Sequence, residues 1–143
     1  MSESKEFIFE NYLEWNEDKI GTIISQGKPS FKVTTPSEFG GNDFYFSPED
    51  LFIASLNSCI MTTFLYYAEK GRLKVMSYKS KVTGKVELKE RKLVFTQIEI
   101  SPEIVVDSPE KAERLIEKAE ENCLISNSVK TEILVKPVIK SGD

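Results

Sequence analysis

The chain has 143 residues, 40% hydrophobic and 29% charged, with a formal net charge of −4. This length suits a single domain, 1–143, able to bury a core of useful size. The acidic balance argues against nucleic acid as the main partner, because a phosphate backbone calls for clustered Lys and Arg. There is no histidine, which removes Ser-His and Cys-His nucleophile pairs, histidine general bases and histidine metal ligands. Chemistry in this chain falls to Cys, carboxylates, Lys and Arg, Tyr or hydroxyls.

In chain order, the opening MSESKEFIFE lacks the basic n-region and apolar h-region of a signal peptide, so a cytoplasmic protein is expected. Phe7 to Trp15 is β-rich, and Asn16-Glu17-Asp18-Lys19 reads as a turn. Ile20 to Ser25 and Phe31 to Thr35 are predicted strands, separated by Gly27-Lys28-Pro29. Pro36 to Phe46 is a loop that contains Gly40-Gly41 and ends in Phe44-Tyr45-Phe46.

A long helix follows. Ser47 is a good N-cap, Pro48 a good first helical residue, and Asp50 stands where it can answer Ser47 in a capping box. Gly71 is a natural stop, which gives a helix of about 22 residues and ~33 Å. Leu51 to Ala68 are eighteen consecutive uncharged residues. A helix apolar on most sides belongs in a core or in lipid. The minimal length, together with Ser55, Asn57, Ser58, Thr62 and Thr63, favours a buried central helix over a membrane span.

Leu73 to Leu88 and Leu93 to Ile100 are predicted to form an antiparallel pair turned at Glu90-Arg91-Lys92. The lysines between Lys74 and Lys92 mostly alternate with apolar residues or sit in the turn, as on a solvated sheet face. Ser108-Pro109-Glu110 opens a second helix. Its apolar stripe of Ala112, Leu115, Ile116 and Ala119 is closed by Cys123, at or just past the helix end. Thr131 to Ile139 is a last strand. This order of elements predicts an α+β domain.

Two cysteines, Cys59 and Cys123, lie 64 positions apart. They fall short of a zinc site and of a secreted disulfide scaffold, and neither metal nor cofactor is expected. A cysteine in a buried helix is ordinarily packing material. Ser55, Thr62 and Thr63 lie one turn from Cys59 and offer it hydroxyls. Cys59 is more than two turns from the helix start, beyond the reach of the positive helix end, so its ionisation is expected to need a cation from elsewhere.

Ser47-Pro48-Glu49-Asp50-Leu51-Phe52, followed by Ala54-Ser55 and Ser58-Cys59, resembles the central helix of the OsmC/Ohr family, the osmotically inducible protein C and organic hydroperoxide resistance proteins. That helix opens with Pro-Glu-x-Leu and carries Cys ten positions after the Glu, a spacing that Glu49 and Cys59 keep. Glu121 to Ser128 is similar to the family's second cysteine motif, Cys-Pro-Val/Ile-Ser, with Leu124 in place of the proline. The element order matches over nearly the whole chain.

The resemblance implies an OsmC-like fold, antiparallel strands around the central helix, in an intertwined homodimer with two sites at the subunit interface. It implies a thiol peroxidase active on organic or hydrogen peroxides in oxidative-stress defence. Cys59 would be the peroxidatic thiolate, Cys123 the resolving cysteine that bridges to it, Glu49 an assisting residue, and an external dithiol of lipoyl type the reductant.

Helix geometry also favours a second chain. Ten residues place Glu49 and Cys59 ~15 Å apart along the axis, so any cooperation between them calls for a partner's Glu49. The family's upstream arginine is missing: Arg72, Arg91 and Arg114 all follow Cys59. Lys28 and Lys32 are the candidate substitutes. They offer charge without a planar fork, and a weaker or differently tuned peroxidase is expected. Phe39, Phe44, Tyr45, Phe46 and Met61 are candidates for an apolar entrance, against the plainer reading that they are core or interface residues. A non-catalytic small-molecule-binding protein and other thiol–disulfide chemistry remain alternatives.

Overall fold

The computed structural model describes residues 5–142. The chain divides into two compact units, the first ending at Leu51 and the second beginning at Phe52.

The first unit carries an antiparallel sheet of β1 (Tyr12–Glu17), β2 (Ile20–Ile24) and β3 (Phe31–Val33), with β2 in the middle. The β1–β2 turn falls at Asp18, whose φ of 46° supplies the reversal. A single 3-10 turn, Ser37–Phe39, breaks the following loop, and Phe46 returns to bridge Val33. All six residues of β1 are exposed, Trp15 at 72%. The unit ends in the first turn of helix α1 (Pro48–Lys70). The capping box forms there as expected: Asp50 N–H donates to Ser47 Oγ at 3.0 Å, and Ser47 N–H to Asp50 Oδ2 at 2.9 Å.

The second unit packs helices on a mixed sheet. Strands β4 (Val75–Lys89) and β5 (Lys92–Val106) form a long antiparallel hairpin. It turns through Glu90 and Arg91, both at positive φ (49° and 69°), as a tight two-residue hairpin requires. Helix α2 (Pro109–Asn122) is followed by a four-residue helix, α3 (Leu124–Asn127), with Cys123 between them. The chain closes with β6 (Glu132–Val135) and β7 (Val138–Ser141), both parallel to β5.

Three of these features differ from the sequence expectation. β5 continues to Val106 rather than ending at Ile100, because Ile98, Ile100, Pro102, Ile104 and Val106 alternate inward without a break. The predicted last strand is two strands, interrupted at Lys136-Pro137. Helix α3 has no counterpart among the predicted elements. The fold class, α+β, is as expected.

The core of this unit is a stripe of α1 (Leu56, Ile60, Phe64, Ala68) with the inward face of β5 and Ala112, Ile116 and Ala119 of α2. Successive α1 members are four apart and stack on one face. Gly84 of β4 sits where a Cβ would come within 2.9 Å of Ile53 and 2.7 Å of Phe95, so the absent side chain lets α1 and the sheet approach. α1 is thus the core helix, although by length and composition it is apolar enough to cross a membrane. Among the described residues, one stripe of it is fully buried. Leu65 and Tyr66 stand open, and Phe52, Ile53 and Met61 are half-buried. The lysines of β4 project from the exposed face of the sheet, as their alternation implies.

Phe64→Ala removes a fully buried ring that also meets Tyr78 at 5.8 Å between centroids. It is expected to cost about 3–5 kcal/mol in urea denaturation. Ser47→Ala removes one arm of the capping box and should cost about 1 kcal/mol.

Candidate functional site

The two cysteines, so distant in sequence, meet in the second unit. Cys59 lies on the flank of the buried α1 stripe, half-buried and packed against the core. Cys123 is fully buried at the C-terminal end of α2, where the apolar stripe of that helix ends, and its backbone leaves the helix (φ −70°, ψ 113°) to start α3. Both thiols are free.

The groups around the Cys59 sulfur are the Cys123 side chain, the backbone N–H of Ile125, the Thr63 hydroxyl and the backbone N–H of Leu124. Thr63 Oγ1 stands 3.8 Å from the sulfur. Of the three hydroxyls one turn away, only this one is turned to the thiol. Ser55 donates to the Phe52 carbonyl at 2.6 Å, and Thr62 to the carbonyl of Cys59 itself at 3.2 Å. No basic side chain of residues 52–142 is among the sulfur's neighbours that shift its ionisation.

These surroundings separate the two thiols in acidity. Burial opposes ionisation of Cys59, but the Cys123 thiol, the Ile125 amide, Thr63 and the Leu124 amide together outweigh it and hold Cys59 below the ordinary thiol value. Burial pushes Cys123 the other way. The hydrogen bond it gives to Cys59 and the charge on that sulfur reinforce the rise, against the opposing Ser126 side chain and amide. The favoured singly ionised state is a Cys59 thiolate accepting a hydrogen bond from a protonated Cys123. One sulfur is then a nucleophile, and the other a protonated thiol beside it.

The remaining predicted residues are more scattered. Glu49 sits in the first turn of α1, with one carboxylate oxygen shut off from water and without a hydrogen-bond partner. Lys28 is exposed, and the Lys32 ammonium lies 5.7 Å from the centre of the Tyr45 ring. Phe39 and Phe46 are exposed and Phe44 is 90% exposed, so these three are not core of the first unit. Phe46 meets Phe31 edge-on at 6.3 Å. Met61 is half-buried on α1.

Sequence reading missed two things. The first is the pair of main-chain amides of Leu124 and Ile125, which no side-chain pattern announces; the only cue is their place directly after Cys123. The second is a groove of about 660 Å³ lined by Phe52, Phe95, Leu93, Val94, Thr96 and Lys130, with Thr131 and Glu132 completing its wall. Phe52 precedes Cys59 by two helical turns on the same face, ~10 Å along the axis.

The second unit is thus an α+β arrangement that sets a half-buried, thiolate-prone cysteine against a buried thiol. Residues 40–137 match the OsmC-like protein family, and the chain belongs to it. Among curated relatives, the uncharacterized protein YmaD of Bacillus subtilis (strain 168) is 23% identical over 135 residues, 89% of each chain. An OsmC-like protein of unknown function from Vibrio cholerae superposes with a TM-score of 0.83 at 23% identity, over 92% of this chain and all of that one. An organic hydroperoxide resistance protein from Elizabethkingia anophelis, crystallised with thiocyanate bound, gives 0.73 at 24% identity, over 96% and 100%.

The acidity split predicts a pH profile. In the native protein, alkylation of Cys59 should persist as pH falls below the ordinary thiol range near ~8.5, because a lowered pKa leaves more thiolate at neutral pH. In denaturant the same site should slow in step with an unperturbed thiol. Mass spectrometry of iodoacetamide-treated protein across pH 5–10 measures both. Cys123 should stay unmodified until the protein unfolds.

Proposed function

We propose that this chain is a thiol-dependent hydroperoxide reductase. The observation that carries this reading is the contact between Cys59 and Cys123, with the negative charge favoured on Cys59. Kinship with organic hydroperoxide resistance proteins in fold supports the choice of oxidant.

In the first step the Cys59 thiolate attacks the distal oxygen of a hydroperoxide ROOH. The O–O bond breaks, the alkoxide takes up a proton to leave as ROH, and Cys59 becomes a sulfenic acid. In the second, the Cys123 sulfur attacks the Cys59 sulfur. An S–S bond forms, and the sulfenic oxygen leaves as water with the Cys123 proton. An external dithiol then reduces the disulfide by exchange and is itself oxidised, which restores both thiols. Hydrogen bonds from Cys123, Thr63 and the two amides maintain the nucleophile before attack. The groove beside Phe52 and Phe95 offers an apolar surface for the organic part of the peroxide.

The working assembly in this reading is a homodimer in the reducing cytoplasm. The uncovered flank of α1 and the exposed Tyr12, Leu13 and Trp15 of β1 are apolar surface that a second copy would cover. That copy would also bring its Glu49 within reach of Cys59, which the ten-residue spacing denies to the chain's own.

Reduced protein is expected to consume cumene or tert-butyl hydroperoxide with a dithiol present. Cys59→Ser should lower the rate at least ~1,000-fold, since a serine hydroxyl is almost wholly un-ionised at neutral pH. Cys123→Ser should react once and accumulate a Cys59 sulfenic acid that dimedone traps. Equal consumption by wild type and Cys59→Ser would refute the proposal.

A further inference from the structure

We propose that Thr63 is the positioning residue of the Cys59 nucleophile: its hydroxyl, one helical turn further along α1, donates to the ionised sulfur and sets where that sulfur points. This rests on reading Cys59 as the nucleophile, and it assigns to one side chain the task of holding it.

The hydroxyls of α1 carry the argument. A Ser or Thr inside a helix ordinarily turns its hydroxyl back to a main-chain carbonyl three or four residues earlier. Ser55 does so to Phe52 at 2.6 Å, Ser58 to Ala54 at 2.8 Å, and Thr62 to Cys59 at 3.2 Å. Thr63 departs from this pattern. Its Oγ1 lies 3.8 Å from the Cys59 sulfur, within hydrogen-bonding reach of so large an atom.

Two local constraints send it there. Helical side chains lean toward the N-terminus, so residue 63 overlies residue 59. The carbonyl four residues back from Thr63 is that of Cys59, and its two lone pairs are taken by the helical N–H of Thr63 and by the Thr62 hydroxyl. Neighbouring threonines thus divide one cysteine between them, Thr62 on its carbonyl and Thr63 on its sulfur. Once the sulfur is ionised it can only accept, so Thr63 is the donor. Thr62 is exposed, whereas Thr63 is half-buried, where a hydrogen bond to a charged group is less diluted by water. Burial opposes ionisation of Cys59, and this hydroxyl acts with the Cys123 thiol against it.

Four variants separate the hydroxyl from the rest of the side chain. Thr63→Val keeps the branched shape and deletes the donor. Thr63→Ala deletes it too, in a better helix former, and takes the place of valine should circular dichroism show that variant unfolded. Thr63→Ser keeps the hydroxyl and drops the methyl. Ser55→Ala removes the hydroxyl one turn to the other side of Cys59, which is spent on a carbonyl. Among the described residues the titratable group facing the sulfur is Cys123, at the end of α2, and every variant retains it.

The readout is the midpoint of the pH profile of Cys59 alkylation, followed by mass spectrometry in the otherwise intact chain. Thr63→Val and Thr63→Ala should move it up by about 0.5–1 pH unit, the loss of one hydrogen bond to a charged, partly solvated acceptor. Thr63→Ser should recover at least about half of that displacement, and Ser55→Ala should stay within about 0.3 unit of wild type. A folded valine or alanine variant that titrates as wild type would overturn the assignment. So would a serine variant, or Ser55→Ala, displaced as far as they are. Alkylation needs no peroxide, so inertness of the wild type toward hydroperoxides would sink the reductase reading and leave this assignment standing.

Discussion

The fold sets two neighbouring sulfurs unequally, one held below the ordinary thiol value and the other pushed above it. With no histidine to act as base, acidity has to be created by placement. The fold achieves this by unequal burial and unequal donors. Cys123 is wholly enclosed and keeps its proton, whereas Cys59 lies at the edge of the core where donors can reach it. Each sulfur's state reinforces the other's, because a protonated Cys123 is a donor and a charged Cys59 discourages a second charge nearby. Neither cysteine would behave this way alone.

That placement depends on the packing of α1. The stripe Leu56, Ile60, Phe64 and Ala68 locks the helix rotation against the sheet, which fixes Cys59 on the flank rather than in the centre. The sequence makes this helix look uniformly apolar, and the structure resolves why. One stripe faces the chain's own sheet, while other apolar positions face outward and remain uncovered within a single copy. By length and composition α1 passes for a membrane span, but the stripe laid against the sheet makes it the core helix of this unit.

Much of the fold was legible because its signals are local. Ser47 and Asp50 announce the start of α1, Gly71 marks its end, and Glu90-Arg91 lies in a turn that alternating neighbours bracket. The place of Cys123 at the end of α2 followed from helical spacing alone. What was not legible depends on partners remote in sequence. The extension of β5 rests on an inward alternation that Pro102 masks in the sequence, and the break at Pro137 falls between two strands that both pair with β5 in one register. The expectation that Cys59 needs a charged side chain weighed side chains only. The donors found beside it include backbone groups that every residue but proline carries, and composition cannot point to them.

Pro102 has a further mechanical consequence. The Ile100 carbonyl accepts from Lys136 N–H at 2.8 Å, so the next equivalent position along that edge of β5, two residues on, is Pro102. The proline has no hydrogen to give there, and that is where the neighbouring ladder is interrupted, between Val135 and Val138. The gap in one strand and the missing donor in the other fit like a key and its slot. Sliding the C-terminal segment along β5 would set the proline against a carbonyl left without a donor, and a one-residue slip would also turn inward-facing side chains outward. The tail is thereby indexed to the sheet, and the short stretch leading back from β6 to Cys123 inherits a fixed anchor.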